Sequence, residues 1–200
     1  MIEFIEVIKN TTGFAPSLAE ITPGKIVRFA TSDRHGDKSG WCKLFPDGQG
    51  GIFGDWRHDI SESWQAHEPR TPEERTVFIE HVRKAREEAA QIEKALRVEC
   101  SSKSAELWQL GQNVDVKHLY IAAKQIKPFG AKQLKNSLLV PVRDDAGNLH
   151  GLQFIQADGS KRFKSGTAVS GCYCSIGKPN GKLLIAEGWA TACTLHESTG

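Results

Sequence analysis

Between Lys25 and Thr31 the sequence KIVRFAT alternates Ile26, Arg28 and Ala30 with Val27 and Phe29, the two-residue period of a half-buried strand. Trp41–Phe45 and Ile52–Trp56 flank PDGQGG, which predicts a hairpin with a loop of six residues. The polar stretch Ser32–Gly40 between these strands carries Arg34, His35 and Lys38. The first part of the chain, to about Glu68, is therefore expected to be a small sheet with little helix. From Thr71 the period changes. Thr71-Pro72-Glu73-Glu74 sets a hydroxyl ahead of a proline, with a Glu at the third helical position, the pattern of a capping box. Phe78, Val82, Ala85, Ala89, Ile92 and Leu96 then step by four and three, drawing one apolar stripe along a long helix. Such a stripe suits a connecting helix laid on its neighbours, and it would also serve a coiled-coil dimer. Short helices are expected to follow at Ser104–Leu110 and Val116–Lys124. Strands return at Leu138–Arg143, Leu149–Gln156 and Lys161–Lys164, joined by the turn sequences DDAGN and ADGS, so these should form an antiparallel platform. A last apolar run, Leu183–Ala186, reads as a short strand that leads into Glu187, Gly188 and a helix of small residues.

These elements predict an α+β chain in four parts: a β-rich domain over 1–68, a helical linker over 69–112, a basic helix plus antiparallel sheet over 113–181, and a strand–helix unit beginning at 182–200. At 39% hydrophobic and 25% charged residues, the composition is that of an ordinary globular protein and excludes a fibrous or disordered one. No stretch reaches the ~18 apolar residues of a membrane span. The opening MIEFIEVIKN places two Glu where a signal peptide would carry bases, so a cytoplasmic location without membrane contact is expected. Of the five cysteines only Cys172 and Cys174 are close, and one intervening residue is not the spacing of a zinc knuckle. Structural thiols and no zinc are expected.

Charge sharpens the picture once it is divided. The formal total is only +2, but residues 1–116 carry −4, residues 117–182 carry +8 and residues 183–200 carry −2. A concentrated basic segment beside an acidic half marks a surface for a polyanion, although solvated lysines on ordinary strands would look the same. Lys132, Lys135, Arg143, Lys161, Arg162 and Lys164 are the candidates for nucleic-acid contact. Strand alternation sends Lys161 and Phe163 to one side and Arg162 and Lys164 to the other. Trp41, Trp56 and Trp64 could stack bases, but as large rings in a small domain they are expected to pack the core.

The most specific chemistry lies at the end. A carboxylate at the carboxyl end of a strand, followed by Gly188 for a tight turn and then a helix, occupies the place where open α/β sheets hold ligands. Glu187 there could ligate a hard cation or move a proton, or could simply cap the helix. Leu184-Ile-Ala-Glu-Gly-Trp-Ala-Thr-Ala192 resembles the first motif of TOPRIM domains, in particular the E-G-[YW]-A-T-A box of phage and plasmid DNA primases, including the TraC-like conjugative primases. Gly40-Trp-Cys-Lys-Leu-Phe, Gly51-Ile-Phe-Gly-Asp-Trp56, Leu139-Val-Pro-Val-Arg143, Gly151-Leu-Gln-Phe-Ile and Asp158-Gly-Ser-Lys-Arg-Phe163 are similar to the amino-terminal half of that family in the same order.

The resemblance implies a nucleotidyltransferase that makes RNA primers on single-stranded DNA for phage or plasmid replication or conjugative transfer. Glu187 would be its catalytic, metal-associated acid, acting with a later Asp-x-Asp pair and Mg²⁺ or Mn²⁺. Single-stranded DNA, nucleotides and a replicative helicase would be its partners. Only 13 residues follow Glu187, fewer than the ~30 of one βαβ unit, so the chain is expected to stop within the TOPRIM domain and to be inactive alone. A non-catalytic single-stranded DNA-binding module is one alternative. Another TOPRIM enzyme, a nuclease or a topoisomerase, is a second; a topoisomerase needs a nucleophilic Tyr, for which the chain offers Tyr120 and Tyr173.

Overall fold

Phe4 and Ile8 lie one helical turn apart and are both fully buried, and this pair seats the first element, helix α1 (Ile2–Thr12). Gly13, at φ +78°, ends it by donating its N–H to Lys9 O, the left-handed cap that glycine makes most easily. The expectation of little helix in this part is therefore corrected. The segment carries no side-chain cap to announce a helix.

The computed structural model describes residues 1–178 and 181–199. It divides into two compact units, Met1–Lys94 and Ala95–Gly200. In unit 1, a short 3₁₀ turn at Leu18–Glu20 precedes β1 (Val27–Phe29), β2 (Gly40–Leu44), β3 (Gly50–Asp55) and β4 (Ile60–Gln65), an antiparallel sheet in chain order. Strand alternation gives the sheet two apolar faces. Phe29, Cys42, Leu44 and Phe53 pack with Phe4, Ile8 and Ile21. Trp41, Phe45 and Ile52 pack instead with Val82, Ala85 and Ala89 from the next helix, α2 (Pro72–Leu110). The middle of the heptad stripe is thus covered inside its own unit.

Thr71 caps α2 as its sequence predicts, its Oγ1 accepting the N–H of Glu74 at 3.2 Å. The Glu74 carboxylate reaches back one residue further than a standard box, to the N–H of Arg70 at 2.7 Å. The helix then runs unbroken for 39 residues, so the separate helix expected at Ser104–Leu110 is its last part. No Gly or Pro interrupts it. Ser101 Oγ donates to Leu149 O at 2.7 Å, so this hydroxyl finds a partner outside the helix instead of unwinding it.

Unit 2 adds helix α3 (Leu119–Lys124), β5 (Lys132–Leu134), β6 (Ser137–Arg143), β7 (Leu149–Gln156), β8 (Lys161–Phe163) and helix α4 (Trp189–Thr199). His118 caps α3: Nδ1 accepts the N–H of Tyr120 at 3.3 Å while Nε2 donates to Asn136 O at 3.1 Å. The four strands form a second antiparallel sheet in chain order. The chain is an α+β protein with two such sheets. Leu183–Ala186 is not a strand. Among the described residues no neighbouring strand pairs with it, and Leu183 and Ile185 are 73% and 86% exposed. β-propensity without a ladder partner leaves the backbone irregular. Among the described residues no helix is long and apolar enough to cross a membrane.

Candidate functional site

Pairing register decides which side chains meet in unit 2. Leu138 lies beside Ile155 and Ile155 beside Lys161, while Val140 lies beside Gln153 and Gln153 beside Phe163. These share one face; Leu139, Phe154 and Arg162 share the other. The first face carries the core of Leu138, Val140 and Ile155 with Tyr120, Ile121, Trp189 and Cys193. Trp189 Nε1 donates to Phe129 O at 2.8 Å, which pins the start of α4 to this core and with it the two residues that precede the helix, Glu187 and Gly188.

Where that core ends, a pocket of about 240 Å³ opens. Val140, Val142, Gln153 and Phe163 line it from the sheet, Val169 and Tyr173 from the following loop, and Glu187, Gly188 and Trp189 from the helix start. Tyr173 is fixed in place through its backbone. Its N–H donates to Arg143 O at 2.8 Å and its carbonyl accepts from Arg143 N at 2.9 Å.

The Glu187 carboxylate is exposed and makes no hydrogen bond or ion pair among the described residues, so it is not engaged as a helix cap. Gly188 has no left-handed backbone, and a Cβ there would meet only Thr191 Oγ1, at 3.9 Å. The turn itself does not demand glycine; the missing side chain leaves this wall of the pocket open. Cys172 and Cys174 border the same space. Burial pushes the Cys174 thiol up to about 11 and the Cys172 thiol upward as well, so both stay protonated near neutral pH, poor nucleophiles and poor metal ligands. Among the described residues no three His, Cys, Asp or Glu side chains gather as a metal cluster. One carboxylate alone does not fit a divalent cation that must fill its shell with oxygens.

The predicted basic residues spread around the sheet. Lys161, on the pocket face, holds its Nζ 5.7 Å from the Tyr120 ring centroid, whereas Arg162, on the opposite face, lies 5.7 Å over Phe154. Lys164 follows β8, its N–H donating to Leu152 O at 2.8 Å. Lys132 Nζ donates to Trp108 O at 2.8 Å and lies 5.0 Å over the Trp108 ring, which the Arg143 guanidinium also approaches, at 5.7 Å. Lys135 occupies the β5–β6 turn at φ +52°. Of the predicted residues, then, Lys161 alone shares the sheet face on which Glu187 sits. The remaining pocket residues were not predicted as site residues: Gln153 and Phe163 lie inside stretches that carry the resemblance without a role attached, Tyr173 was named only as a topoisomerase nucleophile, and Val169 had no signal.

No protein-family model and no solved structure matches the chain. Two curated proteins from Escherichia coli, each a DNA primase TraC, are 36% and 35% identical to it over 66 residues. The matched stretch is 30% of this chain but only 6% and 5% of those primases, so the chain spans a small part of their length. The similarity relates part of this chain to DNA primases.

Proposed function

We propose that the chain is the amino-terminal part of a TOPRIM DNA primase, with Glu187 as its catalytic acid and unit 2 as its template-guiding surface. One observation carries this reading: Glu187 presents a free carboxylate at the wall of a pocket, ahead of a helix whose start is pinned by Trp189. The partial similarity to DNA primases and the +8 charge of residues 117–182 support it. Lys161 and Arg162 lie against aromatic rings, whereas Lys164 lies within the field of Glu99, so the first two are the more available to template phosphates. Nucleotides would be the second substrate, and a replicative helicase a further partner.

In the complete protein Glu187 would supply one ligand to Mg²⁺ or Mn²⁺, with the rest coming from an Asp-x-Asp pair that this chain lacks. The metal would bring Lewis-acid chemistry to nucleotidyl transfer. The role of this chain is to hold the first carboxylate in place and to keep the strand beside it. A primer-synthesis assay tests the proposal. With the complete protein, Glu187→Gln should keep the fold and the affinity for single-stranded DNA while priming falls to background. Residues 1–200 alone should give no template-dependent product with Mg²⁺. Near-wild-type priming by the variant would remove Glu187 from catalysis and leave unit 2 a binding module.

A further inference from the structure

We propose that the pocket beside Glu187 seats a single nucleobase of a DNA strand, stacked against Phe163 and Tyr173, while the phosphates of that strand pass along Lys161. This builds on the template surface proposed above and gives it a specific seat. The first support is exposure. Phe163, Tyr173 and Val169 are 44%, 51% and 46% exposed, and all three border one cavity. A cluster of exposed apolar side chains marks a contact surface more than scattered ones do.

Size narrows the occupant. At about 240 Å³ the pocket is smaller than the ~300 Å³ at which sites for drug-sized ligands begin, so it takes one planar ring system and not a whole nucleotide. Sugar and phosphate must stay outside. Lys161 lies two residues from Phe163 on β8 and on the same face of the sheet, the cation of that face nearest in sequence to the pocket lining.

Polarity agrees. Val140, Val142 and Trp189 make an apolar floor, and Gln153 and Glu187 are polar groups at its border without hydrogen-bond partners among the described residues. An amide both donates and accepts, and a carboxylate accepts, so the two together can meet the mixed donor and acceptor edge of a base. The Glu187 charge also turns away a bare phosphate, which leaves the ring as the part of the strand that enters. An apolar side chain from a protein partner would fit the floor but would gain nothing from the cations of residues 117–182.

Fluorescence anisotropy of residues 1–200 with two labelled oligomers of equal length and charge, oligo-dT and its abasic counterpart, separates base from backbone. Wild type should bind oligo-dT more tightly, by on the order of 5-fold or more, the effect of stacking one base. The double variant Phe163→Ala with Tyr173→Ala should lose that preference without changing the salt dependence, whereas Tyr173→Phe, which keeps the ring, should retain it. Both positions are exposed, and circular dichroism checks that the variants fold. Equal binding of the two oligomers by wild type, or a preference that survives the double variant, would overturn the nucleobase seat and leave the phosphate surface standing. Salt-insensitive or absent binding of both would overturn the seat together with the proposed template surface.

Discussion

The two sheets share strand order and sense, yet one is closed and the other open. In unit 1, β3 is buried along its whole length because α1 covers one face of the sheet and α2 the other. Three cations on its strands and loops are engaged. Arg57 Nη2 donates to Asp37 at 2.7 Å and to Ser39 Oγ at 2.9 Å, Arg28 donates twice to Lys38 O, and Lys43 pairs with Glu88. In unit 2, β8 is an exposed edge strand whose Lys161 and Arg162 meet only aromatic rings. A count of positive residues therefore says little about a polyanion surface until the partners of each are known. Sheet edges left open, with their cations unpaired, are where a strand of nucleic acid has something to gain.

The largest test of that contrast is a core truncation. Phe53 is fully buried and stands edge-on to Phe4 at 6.1 Å. Phe53→Ala should cost about 3–5 kcal/mol in urea unfolding followed by tryptophan fluorescence. The salt slope of DNA binding should be unchanged, because the surface proposed for it lies in unit 2. A slope that flattens would place part of the surface on sheet 1.

Charge reversal comes next. Phosphate contact on single strands gives a slope of about −0.7 per neutralised phosphate in log K against log salt, so three to five contacts predict roughly −2 to −3.5. Replacing Lys161, Arg162 and Lys164 by Glu should abolish most binding at low salt and flatten that slope. The same reversal at Arg83, Lys84 and Arg86 on α2 should do little. Arg83 is already held between Glu80 at 2.7 Å and Glu87 at 2.6 Å, and Lys84 lies 3.4 Å from Glu80. Anisotropy at several salt concentrations reads both, and binding lost in the α2 variant alone would reverse the comparison.

The sequence was most legible where structure is local. The Thr71 cap, the stripe from Phe78 to Ala89 and the hairpin through Asp144–Asn148 are signals that neighbouring residues carry by themselves. It was least legible where pairing decides. β4 (ISESWQ) has no clear alternation and forms because β3 offers a ladder, whereas Leu183–Ala186 has strand composition and no ladder to join. The same holds for the pocket. Glu187 could be found from its motif, but Phe163, Gln153 and Tyr173 come together only through the β7–β8 register and the backbone bonds between Tyr173 and Arg143.

The smallest effects belong to acid, and they still separate the two sheets. In unit 1 the Asp37 carboxylate is 3% exposed. Burial pushes its carboxyl upward, but hydrogen bonds from Ser39, Ser32 and Thr31 N together with the Arg57 charge outweigh that and hold it well below the usual range. In unit 2, hydrogen bonds from His150 at 2.9 Å and from Asn148 lower the half-buried Asp144 to about 2. Both shifts are depressions, so each contributes stability that is present above the ordinary carboxylate range and is lost as pH falls through the folded value. Acid titration from pH 5 to pH 2 should therefore weaken both units. Asp37→Asn should cost about 1–3 kcal/mol at pH 7, because it unbalances a buried, multiply bonded acceptor, and should remove most of the acid sensitivity of unit 1. Asp144→Asn, on a solvated turn, should barely move stability at pH 7 and should only soften the acid limb of unit 2. An Asp144→Asn variant that lost more than Asp37→Asn would mean that the β6–β7 turn, and not the closed sheet, is the more tightly held part of the chain.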